Sequence, residues 1–151
     1  MSLSIGDTIP EFTLKDQEEN DFSSTQLVGK QPFVVYFYPK DYTPGCTREA
    51  CSFRDAYQDF KDMGAEVIGI SSDSSKSHKK FANSYHLPFI LLADPDKKVR
   101  KQFGVPANFF GLFPGRETYV FDKEGKVIMV FNSMKATDHI KKALESLKTQ
   151  A

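Results

Sequence analysis

The chain has 151 residues, a formal net charge of +0, 40% hydrophobic residues and 26% charged residues. This length predicts a single domain over residues 1–151, with a core that needs no disulfide or metal to stabilise it. The balanced charge gives no sign of binding to nucleic acid or to an anionic membrane. Two cysteines and three scattered histidines do not supply the roughly four ligands of a zinc site, and no cofactor is expected. No apolar run is long enough to cross a bilayer.

The first elements in chain order are strands. A short N-terminal hairpin is predicted from Phe12–Leu14 and a partner strand near Phe22. In the run Phe33–Tyr38 both faces of the predicted strand carry residues that are usually buried. This pattern is typical of a central strand that is covered on both sides. Pro39 follows and ends this strand.

Helices and strands then alternate. A helix is predicted from about Pro44 to Asp62, with Gly64 at its C-terminal end. A strand follows at Glu66–Ile70. The serine-rich segment 71–75 offers N-caps for a second helix that runs to about Tyr85.

The rest of the chain adds shorter elements. They are a strand at Phe89–Leu92, a helix at Asp96–Phe103, two strands at Thr118–Phe121 and Val127–Phe131 that flank a turn, and a C-terminal amphipathic helix with Ile140, Ala143, Leu144 and Leu147 on one face. This order predicts an α/β fold with a central mixed β-sheet flanked by helices.

The segment Asp41–Asp55 contains both cysteines, Cys46 and Cys51. If Thr43 is the N-cap and Pro44 the first helical residue, Cys46 is the third residue of the helix. Its sulfur then lies near unpaired N–H groups and the positive end of the helix dipole, which favours a nucleophilic thiolate. The Thr43 hydroxyl could lie beside the sulfur, and Gly45 leaves room for a small substrate to approach the backbone.

The spacing of the two cysteines restricts their chemistry. Positions 46 and 51 of an intact helix have Cα atoms roughly 8–9 Å apart, whereas a disulfide needs about 4.4–6.8 Å. If Cys46 and Cys51 pair, the start of the helix must therefore unwind. A packing role remains an alternative for both cysteines, and more so for Cys51, because free cysteine is often simply buried.

Several segments together resemble the peroxiredoxins, and the Cys-x4-Cys spacing resembles the Q type, also called bacterioferritin comigratory protein. The active-site segment is Tyr38–Phe53, with Thr43-Pro44-Gly45-Cys46-Thr47 at its centre. Three further segments carry the resemblance along nearly the whole chain: Ile5–Leu14, Leu87–Asp94 and Pro114–Thr118. The resemblance implies a thioredoxin-like fold.

The resemblance also implies a role for each site residue. Cys46 would attack the peroxide and become a sulfenic acid, and Cys51 would resolve it as an intramolecular disulfide. Thr43 and Arg116 would bind the substrate, with Arg116 also holding the thiolate, while Pro44 would shield the site. Without the resemblance, an arginine after a Pro-Gly turn is normally a surface charge. Glu49 reads as a first-turn carboxylate that favours the helix, and the three histidines receive no role.

The resemblance implies the substrates and the reductant, while the cysteine spacing and the N-terminal pattern bear on the oligomeric state and the compartment. The substrates would be hydrogen peroxide and alkyl hydroperoxides, and thioredoxin or a similar dithiol would be the reductant. An intramolecular resolving cysteine removes the chemical need for a dimer, so a monomer is favoured. The N-terminus, Met1–Ile9, lacks the basic-then-apolar pattern of a signal peptide, and a cytoplasmic location is expected.

Alternatives remain at two points. The first point is the function, for which two alternatives to a peroxidase remain. One is a thiol–disulfide oxidoreductase that acts on proteins, although such enzymes usually carry Cys-x-x-Cys. The other is a peroxide-sensing redox switch, which would begin with the same reactive thiolate. The apolar segment Phe109–Phe113 either packs in the core or forms a collar around the thiol that favours organic hydroperoxides.

Overall fold

A computed structural model describes residues 3–105, 107–108, 113–114, 116–133, 135 and 138–150. Among these residues the strands are β1 Thr13–Asp16, β2 Asp21–Ser23, β3 Phe33–Phe37, β4 Glu66–Ser71, β5 Ile90–Ala93, β6 Ala107–Asn108, β7 Phe113–Pro114, β8 Glu117–Phe121 and β9 Val127–Asn132. Seven of them form one mixed sheet in the order β2-β1-β5-β4-β3-β8-β9, and β6 and β7 pair separately. The helices are α1 Pro44–Asp62, α2 Ser75–Tyr85, α3 Lys98–Phe103 and α4 Asp138–Gln150.

The central strand β3 has buried side chains at all five positions. Alternate residues enter two separate cores because successive side chains of a strand point to opposite faces. Val34 and Tyr36 pack in the core that contains buried residues of α1, α2 and α4. Phe33, Val35 and Phe37 pack in the other core, with α3 and the N-terminal segment. Coverage of both faces explains the continuous apolar run in the sequence.

The pairing of β3 and β8 positions the functional site. β8 runs antiparallel to β3, and Phe37 at the end of β3 lies opposite Glu117 at the start of β8. The residue that precedes β8, Arg116, therefore lies at the sheet edge from which the chain leaves β3 to enter α1. Parallel pairing of β3 with β4 and of β4 with β5 makes the sheet mixed.

The α/β fold with a mixed central sheet, predicted from the sequence, is confirmed. α1 has the predicted bounds Pro44–Asp62, and Gly64 adopts φ +74 just after its C-cap. The main differences are at element ends: β1 lies at Thr13–Asp16 rather than Phe12–Leu14, and α3 begins at Lys98 rather than Asp96. At the start of α3 the backbone N–H groups of Val99 and Arg100 donate to the carboxylate of Asp94, which satisfies the first turn of the helix there. Within the described part of the chain no helix is long and apolar enough to span a bilayer.

Gly69 allows Tyr36 and Leu91 to pack closely against β4 in the core that contains residues of α1, α2 and α4. A Cβ at this position of β4 would lie 2.8 Å from Cζ of Tyr36, 2.9 Å from its hydroxyl oxygen and 3.0 Å from Cδ2 of Leu91. All three distances are shorter than ordinary van der Waals contact. The Tyr36 hydroxyl is buried and has no hydrogen-bond partner among the described residues.

We therefore expect Gly69→Ala to lower the free energy of unfolding by about 1–3 kcal/mol, the usual cost of overpacking a core. Adding Tyr36→Phe should recover part of this loss, because it removes one of the two close tyrosine atoms without breaking a hydrogen bond. Urea unfolding of the single and double variants measures both effects. Equal stability of Gly69→Ala and the unmodified protein would contradict the contact.

Candidate active site

Cys46 lies in the first turn of α1, directly after the central strand and its connecting loop. Thr43 is the N-cap residue with extended backbone angles (φ −72, ψ 149), and Pro44 is the first helical residue. Cys46 is thus the third helical residue, as predicted, and its side chain is only 1% exposed. Unpaired N–H groups of the first helical turn and the helix dipole favour a negative charge at this place.

The side chain of Thr43 differs from the expectation for an N-cap. Its hydroxyl makes no capping hydrogen bond to α1 and instead donates to the carbonyl oxygen of Lys40 at 2.8 Å. Because the single hydroxyl proton is used in this bond, the oxygen has only acceptor capacity left. A ligand that carries an O–H group could donate to it.

The Arg116 guanidinium contacts the sulfur of Cys46. Nη2 of Arg116 donates to Sγ of Cys46 at 3.4 Å, and Nη1 donates to Oε1 of Glu49. Arg116 is only 3% exposed. It is therefore buried, although an arginine after a Pro-Gly turn normally lies at the surface. Burial lowers the pKa of Arg116, but the neighbouring Glu49 and Cys46 outweigh it and the net change is upward. The arginine is therefore a permanent cation beside the thiol.

Gly45 permits this contact. A Cβ at position 45 would lie 3.1 Å from Nη2 of Arg116, a distance at which the guanidinium would have to move by a few tenths of an ångström. From the sequence alone, Gly45 is expected to leave room for a small substrate. The structure adds a second reason for glycine, because it leaves space for the arginine that donates to Cys46.

Glu49 belongs to the site, although the sequence indicated only a first-turn carboxylate that favours the helix; in the structure the first turn of α1 contains no acidic residue. It is fully buried, one turn beyond Cys46, and its Oε2 makes no hydrogen bond within the described residues. Burial raises the pKa of Glu49 to about 8, against the opposing effect of Arg116. A proton on Glu49 would leave the charge of Arg116 free to act on Cys46.

His139 lies behind Glu49 and was also not assigned a role from sequence. Its Nδ1 is 3.8 Å from Oε2 of Glu49 and 2.7 Å from the hydroxyl oxygen of Thr118. Nε2 lies 2.7 Å from the carbonyl oxygen of Ser133, so Nε2 carries the proton and Nδ1 accepts from Thr118. Burial lowers the pKa of His139 to about 4, in agreement with this neutral form. The imidazole ring of His139 thus connects α4 to Thr118 on β8 and lies beside Glu49 on α1.

A second network holds the loop between β3 and α1. Asp41 accepts hydrogen bonds from the hydroxyls of Tyr38 (2.6 Å) and Ser77 (2.8 Å), and its Oδ2 is 2.7 Å from Nδ1 of His78. Nε2 of His78 is 2.9 Å from the carbonyl oxygen of Leu92. The loop is thereby attached to α2 and β5.

The same network explains the one metal-like grouping found among the described residues. Asp41, Asp73 and His78 bring potential ligand atoms within 4.8 Å of one another. Oδ2 of Asp73 already accepts from the backbone N–H of Asp41 at 2.8 Å and from the Ser71 hydroxyl at 2.6 Å. The polar atoms satisfy each other, and we assign no metal to them.

Cys51 lies farther along α1 and is half-buried. Both cysteines are free thiols, and α1 is continuous through both positions. Helical geometry places their Cα atoms roughly 8–9 Å apart, too far for a disulfide. Pro44 is exposed at the start of the helix. The apolar segment Phe109–Phe113 lies outside the residues whose side chains are described, so its two interpretations stay predictions.

A thiol at a helix N-terminus after the central strand of an α/β sheet, with a buried arginine on its sulfur, defines a class of thiol-dependent redox proteins. Comparison with known sequences agrees: a sequence model of the AhpC/TSA family matches residues 5–130. A chloroplastic peroxiredoxin Q from Sedum lineare is 58% identical over 95% of this chain and 78% of its own length. One from Gentiana triflora is 52% identical over 97% of this chain and 68% of its own length.

Solved structures give the same result. Peroxidoxin BcpB from Mycobacterium tuberculosis superimposes with a TM-score of 0.91 at 36% identity, over 99% of both chains. A bacterioferritin comigratory protein from Xanthomonas campestris, studied for its alkyl peroxide reduction, has a TM-score of 0.85 at 31% identity, over 92% of this chain and 91% of its own. The chain belongs to the AhpC/TSA family, and within it to the Q-type peroxiredoxins. It has the thioredoxin-like fold and is a thiol peroxidase.

The relatives correct the expected compartment. A cytoplasmic location is expected from the sequence alone, but the plant proteins that match are named chloroplastic. The cytoplasmic expectation is therefore wrong. It rested on the absence of a signal-peptide pattern, and the amino-acid pattern of a folded domain does not record its compartment.

The buried neutral state of His139 predicts a pH dependence of stability. The unfolded chain takes up a proton near pH 6.5, whereas the folded chain does so only near pH 4. His139 thus contributes stability that is fully present above pH 6.5 and is lost as pH falls to 4, on the order of 3 kcal/mol in total.

We expect the stability of the unmodified protein, relative to that of His139→Gln, to fall as pH decreases from 6.5 to 4. Urea unfolding of both proteins at several pH values in this window measures the difference. Glutamine does not titrate, so the common pH effects of other groups cancel. A difference that stays constant across the window would contradict the assignment.

Proposed function

We propose that Cys46 is the peroxidatic cysteine of this enzyme and that Cys51 is its resolving cysteine. The observation that carries the proposal is the contact between Nη2 of Arg116 and Sγ of Cys46, at the N-terminus of α1. A permanent cation and unpaired backbone donors together favour the thiolate, which is the nucleophile. The proposal extends to a single domain over residues 1–151.

The first step is attack of the Cys46 thiolate on the peroxide. The S–O bond forms as the O–O bond breaks, giving a sulfenic acid and a hydroxide or alkoxide that takes a proton to leave as water or alcohol. The Thr43 hydroxyl, which donates to Lys40, accepts a hydrogen bond from the peroxide O–H. Arg116 stabilises the charge that develops between sulfur and oxygen. Pro44 and Gly45 border the substrate, and Pro44 shields the sulfenic acid.

The second step joins Cys46 and Cys51. Because the intact helix holds the two residues too far apart, the first turns of α1 unwind and expose the sulfenic acid. The Asp41 network anchors the chain just before this segment, which limits the unwinding to the residues that follow it. The free thiols and continuous helix correspond to the reduced, folded stage of the cycle.

The remaining partners are proposed on the relatives' names and the chemistry of the site. A dithiol reductant of the thioredoxin type attacks the disulfide and restores both thiols. Hydrogen peroxide and alkyl hydroperoxides are the substrates, and the alkyl peroxide reduction of the Xanthomonas protein supports the latter. The chain acts as a monomer. The chloroplastic names of the plant relatives support a plastid as its compartment.

The roles of the two cysteines are tested with reduced protein and one equivalent of hydrogen peroxide at neutral pH. After a quench within seconds, mass spectrometry should find a Cys46–Cys51 disulfide in the unmodified protein. Cys46→Ser should consume no peroxide. Cys51→Ser should undergo a single turnover to a sulfenic acid and then stall with a thioredoxin-type reductant.

Two results would contradict these roles. Unmodified thiols after the quench would mean that Cys46 is not activated, and sustained turnover of Cys51→Ser with the same reductant would exclude Cys51 as the resolving residue. Disulfide formation without steady-state turnover would favour a peroxide-sensing switch. Faster reaction with protein disulfides than with peroxides would favour a thiol–disulfide oxidoreductase.

Gly45→Ala tests the position of Arg116. The added methyl group would displace Nη2, which is 3.1 Å from the Cβ position, and weaken its contact with Cys46. We expect the rate of sulfenic acid formation to fall between about twofold and tenfold, less than the roughly 100-fold that a 1 Å misplacement can cost.

The stability of Gly45→Ala serves as the control. Alanine is favoured over glycine within a helix by up to about 1 kcal/mol, so urea unfolding should show no loss of stability beside the lower rate. An unchanged rate with unchanged stability would mean that the position of Arg116 does not limit the first step.

A further inference from the structure

Tyr42 is the residue just before the N-cap of α1, and its backbone lies in the left-handed region with φ +66. This conformation is strained for a residue that carries a Cβ atom. Such a conformation persists only where the surrounding structure holds it. The contacts of the Tyr42 side chain therefore need to be identified.

The side chain of Tyr42 packs against the C-terminal half of α2. The centroid of its ring lies 5.1 Å from that of Phe81, in an edge-to-face arrangement, and 6.2 Å from that of Tyr85. Its hydroxyl oxygen is 3.1 Å from the hydroxyl oxygen of Ser84. We call this attachment of Tyr42 to Phe81, Ser84 and Tyr85 the latch. Because Tyr42 is 48% exposed, the latch lies at the surface and can open without disturbing the core.

The backbone just before Tyr42 is fixed. The N–H group of Asp41 donates to Oδ2 of Asp73 at 2.8 Å. The Asp41 carboxylate accepts from the Ser77 hydroxyl and lies 2.7 Å from Nδ1 of the buried His78. With Asp41 held, rotation about the N–Cα bond of Tyr42 moves its side chain and the start of α1 together. The latched ring thus fixes the direction in which the chain enters α1.

The part of α1 beyond Cys51 is attached to the same end of α2. Nη1 of Arg54 donates to the carbonyl oxygen of Tyr85 at 2.7 Å, and Tyr85 is the last residue of α2. Contacts with α2 therefore lie on both sides of the segment that holds the two cysteines. Opening of the latch frees the Cys46 end of this segment and leaves the Cys51 end in place.

We propose that Tyr42 is a positioning residue for the resolving step, because its latch on α2 holds the first turns of α1 in the folded form and opens when they unwind. This inference rests on the roles proposed above for Cys46 and Cys51. In the unwound form the Cys51 sulfur attacks the sulfenic sulfur of Cys46, and the S–S bond forms as the S–O bond breaks. Hydroxide leaves and takes the thiol proton to become water, so the Cys51 sulfur is oxidised and the sulfenic sulfur is reduced.

The backbone strain and the ring contacts of Tyr42 act in opposite directions. The strain is relieved when the ring leaves α2, so it favours unwinding, whereas the ring contacts oppose unwinding. Because the disulfide forms only from the unwound form, its rate rises with the population of that form. The same population determines how long the sulfenic acid persists, and therefore how much of it a second peroxide oxidises to sulfinic acid.

The test compares two substitutions at position 42 in the full-length protein. Tyr42→Ala removes the ring and keeps a Cβ atom in the left-handed region, whereas Tyr42→Gly removes both the ring and the strain. Reduced protein is mixed with hydrogen peroxide and quenched at intervals, and mass spectrometry distinguishes thiol, sulfenic acid, sulfinic acid and disulfide.

We expect Tyr42→Ala to form the sulfenic acid at the unmodified rate, because the folded form remains the major one. Conversion of the sulfenic acid to disulfide should be about two- to tenfold faster, the effect of one lost aromatic contact. With excess peroxide, Tyr42→Ala should accumulate less sulfinic acid at Cys46, since its sulfenic acid persists for a shorter time.

The order of the two variants distinguishes the latch from a general loosening of the loop. Tyr42→Gly should resolve more slowly than Tyr42→Ala, because relief of the strain stabilises the folded form. In a merely loosened loop the glycine variant would be the faster of the two. Amide hydrogen exchange of residues 43–53 in the reduced protein should show the same order, and it reports unwinding independently of the cysteine chemistry.

Glu19 offers a matched control, because it is an exposed residue with φ +63 in the turn between β1 and β2. Glu19→Ala and Glu19→Gly should change neither the resolving rate nor the exchange of residues 43–53. The inference is overturned if Tyr42→Ala resolves at the unmodified rate, if Tyr42→Gly is as fast as Tyr42→Ala, or if the Glu19 variants have the same effects. Absence of any disulfide in the unmodified protein would overturn the proposed cysteine roles and, with them, a resolving role for Tyr42, while hydrogen exchange would still report the latch.

Discussion

The buried guanidinium of Arg116 is the interaction on which the site depends. A permanent cation that is only 3% exposed needs anionic or polar partners, because an unpaired buried charge is strongly destabilising. Its partners are Glu49 and the sulfur of Cys46, both supplied by α1. A negative charge on the Cys46 sulfur therefore stabilises the buried arginine, and the arginine in turn favours the thiolate form of Cys46.

The sheet explains how this interaction is assembled. β3 delivers the chain to α1, and the antiparallel neighbour β8 starts at the level where β3 ends, so Arg116 meets the first turn of the helix. From the opposite side, α4 brings His139 up to Glu49. Three parts of the chain that are far apart in sequence thus meet at one helix terminus, and the Asp41 network fixes the loop that leads into it.

Local features were predictable from the sequence, whereas long-range ones were not. Thr43 and Pro44 start a helix by rules that act within a few residues, and Phe33–Phe37 is a buried strand for the same kind of reason. Arg116 could be assigned only by resemblance, since its neighbours in sequence indicate a surface turn. Glu49 and His139 were missed because their burial depends on contacts between α1, β8 and α4, and neither position carries a local signal.

The helical first turns of α1 have a consequence for the energetics of the proposed cycle. Closing a disulfide between positions 46 and 51 would break helical hydrogen bonds and withdraw Cys46 from Arg116, and reduction would restore both. The free energy of refolding is therefore added to the driving force for reduction and makes the disulfide a better oxidant. For a two-electron couple, each 1.4 kcal/mol recovered in this way raises the reduction potential by about 30 mV. The stability of one helical turn would thus set how readily the oxidised enzyme accepts electrons.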